Sequence, residues 1–153
     1  MRSLDDRMGY KIYLGDFLKR LRAQRRLSQG ELSDRTQSLV SPDEIARLED
    51  GIQDRPPESV VDFLSGALEV DEKEAFVFDT LVRYRSIDSE VVDFYLSDPE
   101  VKVDDLGALI FLAEDDRNPR TKSRDDWWTA LNAMKDMADR SYKDWLRTVA
   151  KKS

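Results

Sequence analysis

Two six-residue stretches decide the fold: Leu27-Ser28-Gln29-Gly30-Glu31-Leu32 and, thirteen residues further on, Val40-Ser41-Pro42-Asp43-Glu44-Ile45. In the first, the Ser28 hydroxyl can accept from the Glu31 amide while the Glu31 carboxylate returns to the Ser28 amide, a capping box. Leu27 and Leu32 flank it as a hydrophobic staple. In the second, Ser41 caps, Pro42 takes the first helical turn, Glu44 closes the box and Val40 staples to Ile45. Two such devices so close together predict a short helix, a tight connection and another helix starting.

Working outward, Leu14, Phe17, Leu18 and Leu21 recur at helical spacing, one apolar stripe of a first helix ending near Arg26. Ile45, Leu48 and Ile52 are the expected buried face of the third helix, with Gly51 as its stop. Arg55-Pro56-Pro57 breaks the chain, and residues 57–68 restart it with Val60, Val61, Leu64 and Leu68 on one side. Asp71 caps a fifth helix bearing Ala75, Phe78, Leu81 and Val82. Strand signals are few: glycine (six) and proline (five) are sparse, and hairpin dipeptides are absent. The reading is all-α, with five helices in the first half.

The 153 residues include no cysteine and no histidine, which removes thiol chemistry, disulfides and histidine-based triads or zinc sites. No apolar run is long enough for a membrane span, and the first ten residues hold no signal-type stretch, so a cytoplasmic protein is expected. The net charge of −7 is segregated: residues 1–35 carry nine Lys/Arg against five Asp/Glu, and residues 117–153 ten against five. Between them, residues 36–70 carry two against eight and residues 71–116 four against fourteen. Exposed charge reaches only about 10 Å through salt, so a local positive face suffices for a polyanion, and overall sign neither requires nor forbids one.

Several of these residues together resemble a known family. Leu18-x-x-Leu21-Arg22, Leu27-Ser28-Gln29-x-Glu31-Leu32, Ile45-x-x-Leu48-Glu49-x-Gly51, Pro57 and Ala67-Leu68-Glu69-Val70 stand in the order of the Xre/Cro-repressor-type helix-turn-helix domain, over about residues 14–82. The resemblance implies that helix two lies on the DNA backbone and helix three enters the major groove. It implies that Gln29 meets a phosphate, that Ser41, Pro42, Asp43 and Arg47 face bases, and that Gln53 and Arg55 neighbour phosphates. Arg22 and Glu49 would be its internal ion pair. Two features depart from the family. The stretch Thr36-Gln37-Ser38-Leu39-Val40 is about two residues longer than the usual turn, and Asp43 puts acid at the reading end. That carboxylate can accept from cytosine N4, or simply suit the helix dipole.

The second half carries no motif. Asp88-Ser89-Glu90 opens a helix with Val91, Val92, Phe94, Tyr95 and Leu96, stopped by Ser97-Asp98-Pro99. Asp104 or Asp105 caps the next, with Leu106, Leu109, Ile110 and Ala113. Residues 115–124 read as a polar loop with Arg117, Arg120, Lys122 and Arg124 as a basic patch. In the last helix Trp127, Leu131, Met134, Ala138, Tyr142, Trp145 and Val149 repeat at about 3.67 residues per turn, a nearly straight helix. Its stripe must be covered by the neighbouring helices or by a second copy of the chain.

These readings divide the chain into a DNA-binding domain, residues 1–84, and a helical C-terminal domain, residues 85–153, for dimerisation or for a signal or partner. The expected function is sequence-specific binding of double-stranded DNA as a dimeric repressor. The alternative is a protein-interaction module, an antitoxin or adaptor that keeps the fold without reading DNA. Catalysis is not expected, and neither is a cofactor or metal. The pairs Asp104-Asp105, Asp115-Asp116 and Asp125-Asp126 sit at helix ends, where capping accounts for them.

Overall fold

The computed structural model describes residues 11–53, 55–114 and 123–152. Strand β1 (Lys11–Tyr13) leads into α1 (Leu14–Gln24), then α2 (Gln29–Arg35), α3 (Pro42–Glu49), α4 (Glu58–Leu68) and α5 (Glu72–Tyr84). Strand β2 (Ser86–Asp88) follows, then α6 (Ser89–Ser97), a single 3-10 turn (Val103–Asp105), α7 (Leu106–Glu114) and α8 (Arg124–Lys152). The fold is all-α apart from a two-stranded ribbon, where β1 and β2 pair antiparallel with Ile12 opposite Ile87.

The helix signals act where the sequence places them. Leu14, Phe17, Leu18 and Leu21 are buried along α1, and the Phe17 ring meets Phe78 of α5 edge-on at 5.2 Å. The Ser28–Glu31 box forms with both bonds at 3.0 Å. The Ser28 amide thereby draws the Glu31 carboxyl below its ordinary range. Ser41 accepts from the Glu44 amide at 3.1 Å. The expected return bond from the Glu44 carboxylate is not formed, so α3 has a serine cap without a box, whereas Asp71 and Glu74 complete a box at the start of α5. Glu69 ends α4 in the left-handed region at φ 52°.

Three further expectations are corrected, and the covering of the α8 stripe is found to be partial. The ribbon was not foreseen: three-residue strands leave no alternation to read, and Ile12 and Ile87 are merely one buried apolar residue apiece. Ile52 is 73% exposed rather than part of the buried face of α3. The helix stops at Glu49, and left-handed Gly51 (φ 76°) turns the chain outward before Ile52 is reached. Asp105 accepts from the Lys102 amide as the third residue of a 3-10 turn rather than as a helix cap. The stripe of α8 is only partly covered within the chain. Trp127 and Leu131 are buried, Met134 is half-buried, and Ala138 and Trp145 are exposed. The side chain of Tyr142 lies outside the described residues, as do Arg117, Arg120 and Lys122 of the expected basic loop.

The apolar interiors of the two halves are contiguous. Polar ties reinforce the junction. Lys73 of α5 donates to the carbonyls of Tyr95 and Asp98, both at 2.9 Å, and Arg20 of α1 meets Asp93 of α6 at 2.8 Å. Asp98 in turn receives the Trp128 indole N–H at 2.7 Å and Arg124 Nε at 2.8 Å, while Asp105 receives Lys135 at 3.0 Å. Phe94 stacks on Trp127 at 5.9 Å and meets Trp128 edge-on. These contacts pin the first three turns of α8. At 29 residues it is roughly 43 Å long, so most of it extends past its own support.

Candidate nucleic-acid interface

The face in question is built by α2, the connection 36–41 and α3. Its scaffold is fixed from beneath by α1. Arg22 donates from Nε and Nη2 to the two carboxylate oxygens of Glu49, each at 2.8 Å, and from Nη1 to the Leu27 carbonyl at 2.8 Å. The Glu49 bonds raise the pKa of Arg22. Gln29 Nε2 reaches the same Glu49 carboxylate at 3.4 Å. Thus Arg22, Glu49 and Gln29 are brought together, tying α1, the start of α2 and the end of α3.

Gly15 completes the scaffold. A Cβ there would fall 2.1 Å from the Leu48 carbonyl oxygen and 2.9 Å from that of Glu49, so only glycine allows α1 to lie this close to the end of α3. The sequence offered one clue, a glycine inside the first turn of a helix. Leu48 and Ile45 are buried beneath α3, which leaves the opposite side outward.

That outward side carries Ser41, Pro42, Asp43 and Arg47, all exposed. Asp43 and Arg47 stand four apart and therefore share a face. Gln53 is half-buried, its amide donating to the Arg47 carbonyl at 3.2 Å, beside Ile52, whose amide uses the same oxygen at 2.9 Å. Arg55 is exposed. The seven residues expected at DNA are therefore spread over the two ends and the outer side of α3, with Gln29 partly engaged below.

The electrostatics are mixed. Three of the arginines of α1 and its end are neutralised inside the chain: Arg20 by Asp93, Arg22 by Glu49 and Arg25 by Glu74 at 2.8 Å. Arg25 also donates to the Leu68 carbonyl. Among the described residues Lys19, Arg26, Arg47 and Arg55 have no ion pair. Around α2 and α3, Arg35, Arg47 and Arg55 stand against Glu31, Asp34, Asp43, Glu44 and Asp50. Discrete cations, not a basic stripe, are what this face offers a phosphate backbone. Among the described residues no three metal-ligating side chains cluster, and no helix is long and apolar enough to cross a membrane.

Besides that of Gly15, sequence reasoning misses the roles of three residues. Lys73 and Asp98 form long-range ties that no local pattern announces. Leu39, 60% exposed in a polar turn, was legible as an oddity.

Neither the comparison with curated proteins nor that with solved structures finds a match. The comparison with protein families does: residues 13–75 match the model described as a helix-turn-helix domain, close to the 14–82 expected from the motifs. The chain therefore carries, from β1 into the first turn of α5, a helix-turn-helix domain of the Xre/Cro-repressor kind.

Proposed function

We propose that the protein is a cytoplasmic transcriptional regulator that binds double-stranded DNA in sequence-specific fashion and works as a dimeric repressor. In this reading residues 1–84 bind DNA and residues 85–153 supply the dimer contact or receive a protein partner. One observation carries it: α3 presents Ser41, Asp43 and Arg47 to solvent on a scaffold held by the Arg22–Glu49 pair and the Gly15 contact. A rigid, outward short helix of this kind is what major-groove reading requires. Arg47 would take a guanine edge and Asp43 a cytosine amine, with Gln29, Gln53 and Arg55 beside phosphates. Dimerisation would double the base contacts of a small domain. The exposed continuation of the α8 stripe, Ala138 and Trp145 with Met137 and Leu146 flanking it, is the surface assigned to it. No catalytic role or cofactor belongs to this reading.

Selection from random duplex at about 50 mM salt, where phosphate attraction is strong, tests it. An enriched, two-fold-related site supports the reading, and a pool without enrichment rejects it. The acid excess around α3 favours a second reading, an antitoxin or adaptor that keeps the domain for protein contact. Co-purification with a protein partner, unaffected by Arg47→Ala, would favour that one.

A further inference from the structure

The connection between α2 and α3 is a rigid platform. Every backbone amide from Thr36 to Val40 finds an acceptor in the last turn of α2 or in the connection itself: Leu32 and Ser33 carbonyls for Thr36, Asp34 for Gln37, Ser33 for Ser38, Thr36 for Leu39, and the Thr36 hydroxyl for Val40. Ser33 Oγ donates to the Val40 carbonyl and Thr36 Oγ1 to the Ser33 carbonyl, both at 2.6 Å, and Ser33, Thr36 and Val40 are buried. Gln37 (φ 59°) and Ser38 (φ 61°) are consecutive non-glycine residues in the left-handed region. Such a backbone conformation is strained for a side-chain-bearing residue and persists only where the surroundings impose it. With its amides spent, the turn has no backbone donor left for a ligand, and its exposed apolar side chain is Leu39.

We propose that Leu39 reads a thymine in the major groove by packing on its 5-methyl group, next to the bases faced by Ser41, Asp43 and Arg47. This rests on the DNA-binding reading above. Leu39 stands two residues before the Ser41 cap, at the end of α3 that meets base edges in this domain type. The thymine methyl is the apolar group that major-groove edges present. Gln37, Ser38 and Ser41 around Leu39 are exposed and polar, so a single methyl fits this spot better than the broad apolar area of a protein interface. The rigid turn supplies the contact without ordering a loop on binding.

The experiment uses the full chain and its selected duplex, with each thymine replaced singly by deoxyuridine, which removes only the methyl. Wild type should lose about four-fold in affinity at one thymine per half-site, the worth of one apolar carbon. Leu39→Ala should bind the parent duplex about four-fold more weakly and be indifferent to uracil at that position, while Leu39→Met keeps the sensitivity. Because Leu39 is exposed, all three chains should unfold at the same temperature. Equal uracil profiles for wild type and Leu39→Ala, or a selected site in which no thymine matters, overturn the assignment alone. A wild-type chain that enriches no sequence overturns the DNA-binding reading and this assignment with it.

Discussion

The Arg22 guanidinium clasps the Glu49 carboxylate with two parallel hydrogen bonds of 2.8 Å, and Glu49 is the deeper partner, 3% exposed against 17%. Losing either partner is therefore not equivalent. Arg22→Ala strands a carboxylate in the interior and should cost about 3 kcal/mol or more. Glu49→Ala leaves Arg22 bonded to the Leu27 carbonyl and partly open to water, and should cost about 1 to 2 kcal/mol. Urea unfolding of the two variants with unchanged slope checks the order; equal losses would contradict it.

Gly15→Ala should be among the most damaging small substitutions. The new methyl meets backbone carbonyls of Leu48 and Glu49 rather than a movable side chain, so α1 must lift from α3. A loss of about 3 kcal/mol or more is expected, with DNA binding weakened in the chains that remain folded. Thermal unfolding measures the first effect; a variant as stable as wild type would contradict the packing described.

Asp98 makes docking of α8 sensitive to acid. The Trp128 indole N–H foremost, then the Glu100 amide and Arg124, hold its carboxyl below the usual range against the opposing effect of burial. A carboxyl whose folded value is depressed stabilises fully above its unfolded value, about 4, and loses that contribution as pH falls through the folded value. Tryptophan fluorescence should therefore report loosening of α8 on titration from about pH 5 downward, and Asp98→Asn should flatten this step. An unchanged step in the variant would assign it to other groups.

These four residues mark how much of the fold is legible in the sequence. The caps at Ser28 and Ser41 and the stripes of α1 and α4 are local, each fixed by residues within one or two turns, so their spacing reveals them. Arg22 and Glu49 were paired through the resemblance. Asp98 read only as a helix stop, because its partners stand 26 and 30 residues away. Gly15 needed α3 in place before its bareness meant anything. Ile52 failed for the opposite reason: its spacing continued the α3 stripe, but Gly51 had already reversed the backbone.

Ala138 tests the dimer contact. It sits exposed in the middle of the α8 stripe, so Ala138→Glu should leave the single chain folded while burying a charge at any pairing seam. Sedimentation should show a dimer for wild type and a monomer for the variant, with weaker binding to two-half-site DNA. A monomeric wild type, or a variant that still dimerises, would contradict α8 as the contact.

The most direct measurement of whether α3 reads bases compares wild type and Arg47→Ala on the selected duplex and on variants of it changed one base pair at a time. The account expects wild type to discriminate by about 1 to 3 kcal/mol at a contacted position, and Arg47→Ala to lose discrimination at one base pair while keeping it elsewhere. Equal affinity of wild type for every duplex, or a uniform loss in Arg47→Ala with all preferences intact, would contradict it.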